Sequence, residues 1–322
     1  MYNNTKAIST FVLDAGGIMK KIVIAGAGQM GTAAARLMDP NRVEFLGYAD
    51  NDPEKWTEPD GSMPQHGDFS GAKMPVFSVQ TAVDLKPDEF LISALDKERA
   101  RAIEEQLKLC RFYGDVVKLH DIYADFDIRS RCLRELAERI NGTKGVSGGV
   151  PGVVAELGVY KGDTAWQINE LFPERQFYLF DTFEGFTEED VMTERAYAMS
   201  RAETGDFSDT SIAEVLERMP HPEVCQVRKG HFPETAAGLA HVEFAFVSID
   251  PDLYEPAMAG LEFFYPRLNE GGVMLVHDYN NTQYRGVHQA VKEYEEKLVK
   301  EGGAPLKLVP LGDLHGSCVV IK

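Results

Sequence analysis

The chain is short of cysteine, of positive charge and of long apolar runs, and each shortage removes a class of protein. Its four cysteines, Cys110, Cys132, Cys225 and Cys318, are scattered without a C-x-x-C pair, which argues against a disulfide framework or cysteine zinc site and fits reduced thiols in a cytoplasmic protein. The 33 lysines and arginines are outnumbered by 51 aspartates and glutamates, a formal net charge of −18. Such a chain repels phosphate backbones and anionic lipid, so neither nucleic acid nor a membrane surface is an expected partner. No apolar stretch approaches the length of a membrane span, and no basic start with an apolar core and small-residue cleavage site opens the chain. What is present is 44% apolar content in 322 residues, enough for two cores of ordinary size. The expected partner is a small molecule, with homo-oligomerisation left open.

Residues 1–18 carry no periodic pattern, whereas Met19-Lys20-Lys21 leads straight into the apolar run Ile22-Val23-Ile24-Ala25. Met19 is accordingly expected to be the natural start, with 1–18 a disordered or non-native extension. From there the order is strand, Gly-rich turn, helix, strand. Gly26-Ala27-Gly28-Gln29-Met30-Gly31 follows the first strand and opens a helix over 32–38, and a second strand over 43–49 ends in Asp50. In such a turn the first glycine permits the tight bend, the second lets a phosphate approach the backbone, the third lets helix pack on strand, and the acid accepts ribose hydroxyls. Gly26, Gly28, Gln29, Met30, Gly31 and Asp50 are therefore the expected nucleotide-binding residues of a Rossmann-like domain over 19–120, with NAD or a nucleotide-sugar as ligand. The alternative is a turn whose glycines serve packing alone. No Tyr-x-x-x-Lys pair follows, so a short-chain dehydrogenase or epimerase mechanism is unsupported. On Ile24 to Gly31, Gly47-Tyr48-Ala49-Asp50-Asn51-Asp52-Pro53 and Met74-Pro75-Val76, this part resembles the small Rossmann-like domains found beside transferases in bacterial glycan-modification proteins.

Residues 121–150 read as a connector: a polar stretch, a helix with Leu133, Leu136 and Ile140 on one side, then Asn141-Gly142-Thr143-Lys144-Gly145-Val146-Ser147-Gly148-Gly149. Glycine at that density marks a linker, or a loop over the mouth of the domain that follows. A second strand, turn and helix begins at Val153 and contains Glu156-Leu157-Gly158-Val159-Tyr160-Lys161-Gly162, and a strand over 176–180 runs into Asp181. The wider glycine spacing and the acid inside the motif suit S-adenosylmethionine, which brings an amino acid and a sulfonium cation instead of a pyrophosphate. Two further apolar runs, Phe246-Val247-Ser248-Ile249 and Val273-Met274-Leu275-Val276, end in Asp250-Pro251-Asp252 and His277-Asp278. Ligands of open α/β sheets sit at the carboxyl ends of strands. Asp250, Asp252, His277 and Asp278 in one cleft would hold a divalent cation and leave one carboxylate as a base.

Residues from about 151 to 322 resemble the macrocin O-methyltransferase family. The resemblance rests on Glu156 to Gly162, Asp181-Thr182-Phe183-Glu184-Gly185-Phe186, Lys229-Gly230-His231-Phe232-Pro233-Glu234-Thr235, Ile249-Asp250-Pro251-Asp252-Leu253-Tyr254, and His277-Asp278-Tyr279 with Arg285-Gly286-Val287. It implies an α/β protein of two Rossmann-like domains, the second (151–322) a class I methyltransferase fold. The implied activity is S-adenosylmethionine-dependent transfer of a methyl group to a hydroxyl of a sugar or glycosylated acceptor, assisted by a divalent metal, magnesium or manganese. Carried over by position, Glu156, Gly158, Tyr160, Gly162, Asp181, Thr182 and Gly230 contact the cofactor, Asp250, His277 and Asp278 hold the metal, and Asp252 is the general base. Family members usually have two acids where this chain has His277-Asp278. An imidazole ligand moves the preference toward transition ions; an imidazole turned away leaves Asp250 and Asp278 to bind weakly, or itself serves as base. Two other classes stay open: a regulatory or scaffolding protein of glycan biosynthesis that binds nucleotides without turnover, and a nicotinamide-dependent oxidoreductase using Gly26 to Gly31.

Overall fold

The computed structural model describes residues 19–57, 74–125, 128–142, 149–281, 283–313 and 315–322. The extension expected over 1–18 and most of the Gly-rich stretch, 143–148, lie outside the described residues. The chain separates into two units at residue 126.

The first unit is built on a five-stranded sheet of β1 (Lys20–Ala25), β2 (Val43–Ala49), β3 (Val76–Phe77), β4 (Glu89–Ile92) and β5 (Asp115–Lys118), ordered 3-2-1-4-5. Every pairing is parallel, so each link between neighbouring strands must cross over the sheet. The apolar run in β1 is buried from Ile22 to Ala25, as a central strand covered on both faces requires. The helix expected over 32–38 starts three residues earlier, at Gln29–Arg36. The helix over Lys97–Leu109 is fixed at its start by Asp96, whose side chain accepts the Arg99 N–H at 2.8 Å.

In the second unit the strands are β6 (Val153–Leu157), β7 (Phe177–Asp181), β8 (Cys225–Lys229), β9 (Phe244–Ile249), β10 (Leu268–Val276), β11 (Lys307–Pro310) and β12 (Cys318–Ile321), ordered 11-12-10-9-6-7-8. The strands from β6 to β10 pair in parallel, whereas β12 runs antiparallel to both β10 and β11. Strand β9, Phe-Ala-Phe-Val-Ser-Ile, is buried at every position. Side chains alternate across the sheet: Ala155, Leu157, Val247 and Ile249 enter one apolar layer and Val154 and Phe246 the other.

The helix Ile128–Asn141 packs in that second layer through Leu133, Ala137 and Ile140, beside Val154, Ile168 and Phe172. The stretch expected as a connector is therefore divided. Leu119–Asp125 closes the first unit and Ile128–Asn141 is part of the second, because its apolar stripe at i, i+4 and i+7 needs a core to cover it. The charged run from Thr187 forms the helix Glu188–Ala196, in which Glu194 is only 1% exposed. Its Oε1 accepts the Tyr254 N–H at 2.7 Å, and this tethers the helix to the loop after β9.

On the other face of the sheet, Phe264 is fully buried and its ring meets those of Phe180, Phe232, Phe244 and Phe263 at centroid distances of 5.8, 5.4, 5.0 and 5.1 Å. Truncation at a site so enclosed leaves a cavity. Phe264→Ala is expected to lower the stability of the second unit by about 3–5 kcal/mol, read from its transition in chemical denaturation. A loss below about 1 kcal/mol would contradict this packing.

Candidate functional site

Three parallel strands end level with one another. Leu157 pairs with Ile249 and Val276 pairs with Ile249, so Gly158, Asp250 and His277 leave the sheet side by side. The link is continued by the Asp250 N–H to the Leu157 carbonyl at 2.8 Å and the His277 N–H to the Ile249 carbonyl at 2.9 Å. Sheet order reverses between β6 and β9, which opens the crevice where ligands of such sheets bind. The turn after β6 lies hard against the loop after β9. Gly158 has φ +85°, and a Cβ there would sit 2.0 Å from the Asp250 carbonyl oxygen; only glycine fits.

Asp181, the last residue of β7, holds that turn. Its Oδ2 accepts the N–H groups of Val159 at 2.7 Å and Tyr160 at 2.9 Å, and its Oδ1 accepts that of Phe183 at 2.6 Å. The acid expected to read ribose hydroxyls is thus first a clamp for the turn, with lone-pair capacity left over, since a carboxylate offers about four acceptor sites. The Tyr160 hydroxyl donates to Asp209 at 2.6 Å. Gly162 begins the helix Asp163–Leu171 with φ 79°. Thr182 bonds within its own turn, to the Gly185 carbonyl at 3.2 Å, and the Gly230 N–H donates to the Asp181 carbonyl at 2.9 Å. The cofactor residues expected from the sequence, Glu156, Gly158, Tyr160, Gly162, Asp181, Thr182 and Gly230, fall at or just beyond the carboxyl ends of β6, β7 and β8. Ser211 caps the helix Ile212–Arg218.

Glu156 sits beneath this turn, 1% exposed. Burial pushes its carboxyl well above the usual carboxylate range, Asp250 adds to the rise, and Arg129 opposes it. Its Oε2 is buried with no hydrogen-bond partner among the described residues. An unpaired buried acceptor is costly, and a bound ammonium group would satisfy it.

The cluster expected at the ends of β9 and β10 is assembled. Asp250, Asp252 and Asp278 each offer a carboxylate oxygen within 4.8 Å of the others. Asp252 and Asp278 take left-handed backbone conformations, φ 61° and 57°, uncommon away from glycine though tolerated by aspartate. His277 Nδ1 lies 2.7 Å from Asp250 Oδ1 and 3.2 Å from Asp278 Oδ2. Those oxygens lie off the line of the ring N–H, so the contacts are ion pairs without hydrogen-bond alignment, and neither ring nitrogen has a hydrogen-bond partner among the described residues.

Burial works against a charge on His277, but the two carboxylates outweigh it and push the imidazole up to about 10. Burial alone would raise Asp250, yet His277 and Arg129 hold it below the usual range. Asp252 goes the other way: burial, then Asp250, then Asp278 carry it well above the usual range. Two carboxylates that close cannot both ionise without a countercharge.

An all-oxygen triad suits a hard divalent cation, and the carboxylate crowding that pushes Asp252 upward is what a cation would relieve. The donor set fits a metal. Asn281 Nδ2 donates to Asp278 Oδ1 and fixes that carboxylate.

Sequence reasoning missed two members of this site. Arg129, in the first turn of the helix Ile128–Asn141, places NH1 3.5 Å from Asp250 Oδ2, and only folding that helix onto the second unit brings it there. His315, from the segment joining β11 to β12, lies against His277 with ring centroids 4.9 Å apart. Spacing carries no signal for either. Aromatic side chains near these strand ends have partners of their own: Phe183 is buried in the core, the Tyr254 hydroxyl bonds Glu293, and Tyr279 stacks on His288.

In the first unit, Gly26 has φ +111° and Gly31 has no room for a side chain, since a Cβ would sit 2.0 Å from the Gly26 carbonyl oxygen. A Cβ on Gly28 would meet nothing within 4 Å, and Gln29 and Met30 open the helix behind it. Asp50 lies where expected, but its Oδ2 accepts the Ala27 N–H at 2.8 Å and Lys55 Nζ at 3.2 Å, and its Oδ1 the Asp52 N–H at 3.0 Å. Burial opposes its charge, and those backbone bonds and the lysine outweigh it, holding the carboxyl below its ordinary range.

The pattern of the macrocin-O-methyltransferase (TylF) family matches residues 127–307. Mycinamicin III 3''-O-methyltransferase of Micromonospora griseorubida is 28% identical over 161 residues, 46% of this chain and 62% of that protein. The 8-demethyl-8-(2,3-dimethoxy-alpha-L-rhamnosyl)-tetracenomycin-C 4'-O-methyltransferase of Streptomyces olivaceus is 26% identical over 144 residues, 41% of this chain and 54% of that protein. The chain thus spans about half to three-fifths of the length of these relatives. Among solved structures, the O-methyltransferase NovP aligns with a TM-score of 0.48 and 23% identity, over 60% of this chain and 79% of that one. The family match begins at the helix that carries Arg129, runs through the Asp181-clamped turn and both acidic strand ends, and covers more than half of the chain: the protein belongs to the macrocin-O-methyltransferase family.

Proposed function

We propose that the chain is an S-adenosylmethionine-dependent O-methyltransferase that methylates a sugar hydroxyl of a glycosylated small molecule or nucleotide-linked sugar, with a divalent cation at the strand ends. The observation that carries this reading is the contact of Gly158 with the Asp250 carbonyl, which sets the cofactor-type turn directly beside the acidic cluster. The two relatives above are sugar O-methyltransferases by name, which supports the acceptor class.

Bound in the crevice, S-adenosylmethionine supplies an electrophilic methyl group. Glu156 Oε2, buried and unpaired, accepts from the α-ammonium of its methionine part. Arg129, between Glu156 and Asp250 in its electrostatic reach, lies on the side suited to the carboxylate. Asp181 keeps the turn shaped and offers its remaining lone pairs to the ribose.

Asp250 and Asp278 hold the cation, which supplies Lewis acidity toward an acceptor oxygen. Asp252, free of ligation duty and ionised once its neighbours are neutralised, takes the acceptor proton. In-line transfer requires the acceptor oxygen to be held against the methyl group, and this positioning is a large share of the rate.

For the first unit we propose a nucleotide or nucleotide-sugar ligand. The open space at Gly28, ahead of a helix N-terminus, supports it. Asp50, committed on both oxygens to its own turn, leaves less capacity for ribose than the sequence suggested.

Calorimetry with S-adenosylmethionine should show one binding event, weakened about tenfold or more in Glu156→Ala, a loss of about 1.4 kcal/mol or more. Unchanged affinity in that variant would remove Glu156 from the cofactor site. Asp252→Asn should keep cofactor affinity within about twofold while turnover on a glycosylated acceptor falls by about 10²–10⁴-fold, the usual loss of a general base. Tight cofactor binding without transfer to any sugar would favour a non-catalytic protein. Dialysis against a chelator should abolish most turnover and a divalent cation should restore it; undiminished turnover would take the metal out of the mechanism.

A further inference from the structure

We propose that His315 adds a nitrogen-bearing face to the cation site, so that His277, Asp278 and His315 together bind a transition ion and the chain selects zinc, cobalt or manganese over magnesium. The proposal deepens the reading of the strand-end cluster as a cation site and rests on it.

One ring nitrogen from each histidine and one Asp278 oxygen lie within 4.8 Å of one another. Asp278 is shared between this triad and the all-carboxylate one, so the same ion has an oxygen side and a nitrogen side. The two imidazoles are tilted by 35° at a centroid distance of 4.9 Å. Ring contact alone would explain the distance, but it leaves His277 Nε2 buried without a hydrogen-bond partner among the described residues. A metal bond satisfies such a nitrogen.

The segment that delivers His315 is fastened to the site. Asp313, buried between the strands it joins, accepts the Ser317 N–H on Oδ1 and the Ser317 hydroxyl on Oδ2, each at 2.8 Å. The Asn280 N–H donates to the Gly316 carbonyl at 2.7 Å, and the Leu311 N–H to the Ser317 carbonyl at 2.8 Å. The last two bonds bracket His315, and the first of them ties the segment to the turn that begins at Asp278. Gly316, φ +72°, leaves no room for a side chain against Asn280, where a Cβ would lie 2.9 Å from the Asn280 Cβ. Such a set of two imidazoles and a carboxylate is poor for magnesium, which prefers oxygen, and good for first-row transition ions and zinc.

The test uses the full chain stripped of metal by a chelator. Calorimetric titrations with magnesium, manganese, cobalt and zinc salts are paired with pulsed paramagnetic resonance of the manganese form. Zinc and cobalt should bind about tenfold or more tightly than magnesium, and the manganese spectrum should show two nitrogen couplings. In His315→Ala, and in His315→Gln as a second variant, one coupling should vanish and zinc and cobalt affinity should fall about tenfold, with magnesium affinity nearly unchanged. A manganese spectrum without nitrogen coupling, or an ion preference identical in wild type and variants, would overturn the proposal while leaving a carboxylate cation site intact. Failure of the wild-type chain to bind any of the four ions would overturn both. The wild-type spectrum decides the ligand set even if neither variant folds.

Discussion

The level ending of three adjacent strands, β6 at Leu157, β9 at Ile249 and β10 at Val276, is the constraint on which the second unit's chemistry depends. It crowds Asp250, Asp252 and Asp278 into a partly buried space where like charges repel, and the unit answers with groups of opposite sign. His277 lies 2.7 Å from Asp250. Arg129 reaches in from the helix Ile128–Asn141, and His315 from the far edge of the sheet. Asp252, left with the least compensation, is pushed well above the usual carboxylate range. An acidic cluster balanced in this way by protons and side-chain cations is well placed to exchange that balance for a metal ion.

The two units share a second device. In each, the acid that follows the second strand spends its oxygens on backbone N–H groups of the turn after the first strand: Asp50 on Ala27, Asp181 on Val159 and Tyr160. A turn that must present bare backbone to a ligand has unpaired N–H groups of its own, and a carboxylate is the strongest neutral-pH acceptor for them. Ligand recognition is then a second use of a group already needed to shape the turn. The difference lies in the remainder. Asp50 also carries the Lys55 ammonium and the Asp52 N–H, while Asp181 adds the Phe183 N–H alone.

Much of this was legible in the sequence, for local reasons. The apolar runs that became β6, β9 and β10 are continuous because both faces are covered, and each run ends where its chemistry begins. Gly158 is required by a contact with the neighbouring strand end, and its spacing from Glu156 and Gly162 announces the turn. Arg129 and His315 were not legible, since each arrives through tertiary packing from an element more than 30 residues away from the nearest acid of the cluster in sequence. Glu194 lies in a charged run that gives no sign of burial; its burial follows from the Tyr254 N–H, a donor at the start of a helix that no nearer group caps. The helix Ile128–Asn141 looked like a connector because its apolar stripe of Leu133, Ala137 and Ile140 gives no indication of which core it joins.

The central claim is that the cofactor turn and the cation cluster open on one crevice. Nuclear relaxation of the S-methyl protons of S-adenosylmethionine, bound to the full chain with manganese and then with diamagnetic magnesium, measures that adjacency directly. Strong manganese-dependent relaxation that scales with site occupancy is the predicted result. Methyl protons that relax identically with the two ions, both ligands being bound, would contradict a shared site.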